Sequence, residues 1–141
     1  MANRVINNYY GEIIISDKFK ISKTTTKEEF ISFFGEKNVS IRDMNNGYIH
    51  YFIRNINIQN SNFSFNLVFN QEHLSSITFN FDTLPTDNWD NWSEEKELKR
   101  LEKYNNWLNH QIGSKRDYQW GNIGAYFDRK GGWTSMVLRY L

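Results

Sequence analysis

"FSFNLVFNQEHLSSITFNFD", residues 63–82, alternates with a period of two. Phe63, Phe65, Leu67 and Phe69 occupy one set of positions, and Ser64, Asn66, Val68 and Asn70 the other. After a short break Ile77, Phe79 and Phe81 alternate with Thr78 and Asn80. Successive side chains of a strand point to opposite faces, so the pattern predicts two strands with one buried aromatic face and one wet face. A sheet solvated on one side is typically antiparallel, and the short breaks here suit hairpins. Upstream, "VSIRDM" (39–44) runs into Asn46-Gly47, a strong hairpin signal, and "YIHYFIRNINI" (48–58) follows. These segments predict an antiparallel meander.

The chain before the meander holds two β-like runs, "GEIIIS" (11–16) and "FKIS" (19–22), joined around Asp17-Lys18. Next, Thr26 and Glu29 have the spacing of a capping box. Phe30, Phe33 and Phe34 recur at i, i+3 and i+4, and Gly35 suits the stop, which predicts one short helix. After the meander, "FDTLPTDNWDNW" (81–92) contains the only proline, Pro85, and reads as the longest loop. "WSEEKELKRLEKYNNWLNHQIG" (92–113) then predicts a long amphipathic helix. Ser93 can cap it, Glu94 and Glu95 favour its positive end, and Gly113 ends it. Leu98, Leu101, Tyr104, Leu108 and Ile112 form its apolar stripe, with Trp107 at the side and Lys96, Lys99, Lys103 and His110 opposite.

The last segment contains "WGNIGAYFDRKGGW" (120–133) and reads as a hairpin. Ile123, Ala125 and Phe127, with Met136, Leu138 and Tyr140 on the return strand, fit burial under the long helix. The other face would carry Trp120, Asn122, Gly124 and Tyr126, then Trp133, Ser135, Val137 and Arg139. The whole reads as one α+β domain over 1–141, in the order ββαββββαββ. Its antiparallel sheet carries one short and one long helix on one face. Phe65, Phe79, Leu101, Leu108, Phe127 and Leu138 are the expected core.

Composition narrows the function. With no cysteine there is no disulfide framework and no thiolate chemistry. A net charge of +1 gives no general affinity for nucleic acid or an anionic membrane. The N-terminal "MANRVINNYYGEIIIS" lacks the apolar run of a signal peptide, and no stretch is apolar enough to span a membrane, so a cytoplasmic protein is expected. His50, His73 and His110 lack metal-ligand spacing. No phosphate loop or nucleophile elbow occurs. Gly121 and Gly124 mark a bulge or a close approach of another backbone. Asp128 opens the turn "DRKGG", where a carboxylate can bond nearby N–H groups. No catalytic residue, cofactor or metal ligand is assigned.

The region from Asp82 to Glu95 carries five acids (Asp82, Asp87, Asp90, Glu94, Glu95) and no Lys or Arg, whereas residues 96–141 carry nine basic and four acidic side chains. The two regions therefore hold −5 and +5. Helix-dipole complementarity accounts for Glu94 and Glu95 but not for Trp89 and Trp92. These tryptophans either fold back over the core or contact a partner, the rings supplying binding energy and the acids steering. Asp87, Trp89, Asp90 and Trp92 are thus expected to flank a partner site, with Trp120, Tyr126 and Trp133 on the neighbouring open sheet face. Against a nuclease, the acids would occupy its basic groove.

In the C-terminal half of the chain, over roughly residues 89–141, "WSEEKELKRLEKYNNWL", "WGNIGAYFD", "KGG" and the closing "SMVLRYL" resemble small bacterial immunity-type proteins, which neutralise toxins. The resemblance implies a cytosolic α+β protein that binds one protein partner tightly, a toxin domain in such systems, and performs no reaction. The alternative is a small-ligand-binding or enzymatic α+β domain with an aromatic pocket between sheet and long helix. A third reading is a subunit that pairs strand edges with its own copy.

Overall fold

The structure, a computed structural model, describes residues 4–83 and 87–141. Pro85 lies outside the described residues, and with it the centre of the expected long loop. The described chain runs β1 (Ile6–Asn7), β2 (Glu12–Ser16), β3 (Phe19–Ile21), α1 (Lys27–Phe34), β4 (Ser40–Asp43), β5 (Tyr48–Ile58), β6 (Ser61–Asn70) and β7 (His73–Phe81). It continues through α2 (Glu94–Ile112), β8 (Asp117–Tyr118), β9 (Gly121–Asp128) and β10 (Trp133–Tyr140). This is the expected α+β order, with β1 and β8 added as strands of two residues each.

The strands form two antiparallel sheets rather than one. β1-β2-β3 is a small sheet of its own, and the large one runs β4-β5-β6-β7-β10-β9-β8. The N-terminal strands form a separate layer because their isoleucines are covered: Ile6, Ile13 and Ile21 are fully buried and Ile15 nearly so. Alternation works as expected in the meander. Phe65 pairs with Phe79 and Phe63 with Phe81, so both aromatic sets share the covered face. The hairpin between β4 and β5 has positive φ at Asn45 and Gly47.

Both helices start and stop where their caps predict. Thr26 and Glu29 close a reciprocal capping box on α1. The Ser93 hydroxyl accepts from Lys96 N on α2, and Gly113, at positive φ, ends it. On α2, however, the inward line is Glu97, Leu101, Tyr104, Leu108 and Gln111, not the stripe that begins at Leu98. Leu98 is 44% exposed, whereas Glu97 is 3% exposed. Leu101 and Phe127, expected in the core, are only half-buried, while Phe65, Phe79, Leu108 and Leu138 are buried as expected. Trp107, expected at the edge, lies against Phe63, Phe79 and Phe81.

Glu97 is buried because the sheet opens beneath it. The β7–β10 ladder ends at Phe79 and Met136, so the next backbone groups lose their strand partners. Side chains of α2 take their place. The Tyr104 hydroxyl accepts from Phe81 N at 3.2 Å and donates to Phe81 O at 3.1 Å. A Glu97 carboxylate oxygen accepts from Thr134 N at 2.9 Å, and the Thr134 hydroxyl donates to Glu97 O at 3.0 Å. Unpaired buried backbone groups are costly, so two polar residues on the inward line stabilise the fold there better than two leucines would. At the other end of the helix, Gln111 Oε1 accepts from Val5 N and Ile6 N at 2.7 and 3.1 Å, tying β1 to α2.

Candidate partner-binding site

The β9–β10 turn is built by Asp128. Its carboxylate accepts from Lys130 N and its carbonyl from Gly132 N, so this acid organises the turn, as its position predicts. The segment ahead of α2 folds onto that turn. Asn88 caps a short 3-10 turn, Trp89–Asn91, by accepting from Asn91 N. The Trp92 indole N–H donates to Gly132 O. Trp89 then stands 6.1 Å from Trp92 and 5.2 Å from Trp133, ring centre to ring centre. Trp92 and Trp133 are half-buried in this cluster, and Trp89 is 63% exposed. One sequence alternative made these tryptophans core packing and the other made them contacts. In the structure Trp92 and Trp133 pack against the turn, and Trp89 presents its ring to solvent.

The acids of the same segment are mostly taken up by their own chain. Asp87 is bound to Arg100 at 2.9 Å, Glu94 to Arg129 at 3.3 Å, Glu95 to Lys99 at 3.3 Å, and Asp82 faces Lys103 at 3.9 Å. Two of these pairs, Asp87–Arg100 and Asp82–Lys103, join the segment to α2. Asp87 does not behave as a free rim carboxylate. It and Arg100 are each 16% exposed, and Arg100 also holds Glu97 at 3.0 Å. The readable signal was the i, i+3 spacing of Glu97 and Arg100. Asp90, like Asp82, Glu94 and Glu95, is exposed.

Tyr126 and Trp133 share the open face, as alternation predicts. Trp120 does not join them. Its ring stacks on Tyr118, sits 6.0 Å from Tyr140 and covers Gly11, and its N–H donates to Asn8 O. It thus packs against the β1–β2 connection, on the side that the N-terminal strands cover. The Tyr140 hydroxyl donates to Gly11 O beside it. Gly121 lies against the backbone carbonyl of Arg139, the close approach its position suggested.

Comparison of the chain with protein-family models, curated proteins and solved structures finds no match. His50 is half-buried on the open face, with Nδ1 at 3.0 Å from Asn66 Nδ2 and its ring stacked near Phe52; His73 and His110 are exposed. Among the described residues no group of three or more His, Cys, Asp or Glu could hold a metal, and no helix is long and apolar enough to cross a membrane. Between sheet and α2, where a ligand pocket was the alternative, Tyr104, Trp107, Phe63, Phe79 and Phe81 fill the space with ring contacts.

Proposed function

We propose that the protein is a binding domain of the immunity type, which docks on a cognate toxin domain and neutralises it without performing a reaction. The observation that carries this reading is Trp89. A large aromatic ring is held in solvent by two neighbouring tryptophans, a capped turn and the Gly132 backbone. A ring immobilised before binding loses little entropy on association, which is the character of an interface anchor. Its position within the 89–141 segment that resembles immunity-type proteins supports the choice of a toxin as partner.

The test is co-expression with toxin domains encoded in the genomic neighbourhood. The wild type is expected to restore growth against one of them. Trp89→Ala should weaken the purified complex by about tenfold or more, since anchor residues contribute about 2 kcal/mol or more. Its folding stability should change by no more than about 1 kcal/mol, because the ring is exposed. Unchanged affinity in a folded Trp89→Ala variant would overturn the reading.

A further inference from the structure

A single cross-strand row, Arg42–His50–Val68–Ser76–Arg139–Asn122–Asp117, traverses the open face of the large sheet in register and ends on a carboxylate two strands beyond Arg139. Arg42 and Arg139 stand four strand spacings apart, about 19 Å. Arg54 is exposed nearby, at the bulge of β5. The chain has seven arginines. Arg4, Arg100, Arg116 and Arg129 each donate to an oxygen of their own chain. Among the described residues, Arg42, Arg54 and Arg139 find no such acceptor; Arg139 has only an aromatic neighbour. The carboxylates on this face, Asp117 and Asp128, sit at its β8–β9 margin, and Asp128 is engaged in the turn.

Arg139 is also prearranged. Its guanidinium lies 5.2 Å above the ring centre of Tyr126. Tyr126 reaches back along β9 to that place over Gly124, where a Cβ would come 2.7 Å from its hydroxyl oxygen. The missing side chain at Gly124 therefore makes the seat. A guanidinium stacked on a ring keeps its N–H fork free in the plane, ready for a carboxylate.

We propose that this open face docks an acidic protein surface, with Arg139 on its Tyr126 seat and Arg42 at the far end of the row donating to the partner's carboxylates. The inference rests on the reading of the chain as a protein-binding domain and assigns the charge of the partner. A nucleic acid fits less well. The strands of this sheet contain no lysine, and the three guanidiniums are spread among Ser, Thr and Asn side chains rather than lined up along a phosphate track.

The probe is poly-L-glutamate, titrated into the full-length protein at low salt and followed by amide NMR, with a thymidine oligonucleotide as the phosphate control. Polyglutamate should shift amides around Arg42 and Arg139, and the shifts should vanish near about 0.5 M salt, where screening is short-ranged. The double variant Arg42→Glu, Arg139→Glu should weaken binding by about tenfold or more, the scale of one lost charge-assisted hydrogen bond. Tyr126→Ala should weaken it too, whereas Tyr126→Phe should not. Shifts confined to the α2 lysines, no binding, or equal binding of the oligonucleotide on this face would each overturn the proposal. With a cognate toxin in hand, the two readings separate. If Trp89→Ala abolishes protection and the double arginine variant does not, the acidic-partner inference falls while the binding-domain reading stands.

Discussion

Tyr104 concentrates the chemistry of the interior in one side chain. It is fully buried, and its hydroxyl serves both backbone groups of Phe81. Burial pushes the phenol up to about 12, against smaller pulls downward from the Phe81 hydrogen bond and Arg100. An unfolded tyrosine ionises near 10. Below that pH both states are protonated, and the stabilisation is fully present. As pH rises from about 10 towards 12, the unfolded chain releases its proton while the folded one keeps it, so stability falls. Full ionisation of the unfolded state corresponds to roughly 2–3 kcal/mol at about 1.4 kcal/mol per pH unit. Burial raises the Tyr140 phenol as well, with Glu12 adding to the shift. The Tyr104 share is isolated by comparing urea midpoints of wild type and Tyr104→Phe between pH 8 and 11. The variant should be less stable at neutral pH and show a shallower alkaline decline; an identical decline would refute the assignment.

At the scale of elements, α2 both packs and caps. Its middle residues, Tyr104 and Leu108, are fully buried, and its inward ends are Glu97 and Gln111, which satisfy backbone groups of β10 and β1. Two substitutions test this register. Leu108→Ala should cost about 2–5 kcal/mol, through lost transfer energy and the cavity left behind. Leu98→Ala should stay within about 1 kcal/mol, because nearly half of that residue is in solvent. Equal urea midpoints for the two variants would mean that the helix is rotated. The existence and ends of α2 were readable from its caps and its apolar spacing. Its rotation was not, because Leu98 fits an apolar stripe as well as Leu101 does. The preference for Glu97 exists only where β7 and β10 part.

Across the whole molecule, the N-terminal sheet is fastened at two places far apart in the chain. Gln111 holds the backbone of Val5 and Ile6, while Trp120 and Tyr140 reach Asn8 and Gly11. Gln111→Ala should speed amide hydrogen exchange in β1 and β2 while leaving β6 and β7 protected; uniform acceleration would show that the two sheets open as one unit. The sequence by itself determined the α+β class, the strand alternation, the helix caps, the β4–β5 hairpin and the turn made by Asp128. Each of these depends on neighbours within a few residues, through side-chain period, backbone preference or a local hydrogen bond. Only the tertiary structure decided that the first strands form a second sheet, that Trp120 turns away from the open face, that Asp87 is spent on Arg100, and that Arg42, Arg54 and Arg139 find no oxygen acceptor among the described residues. Those outcomes depend on groups distant in sequence competing for the same partners, and a local pattern carries no record of which of them meet.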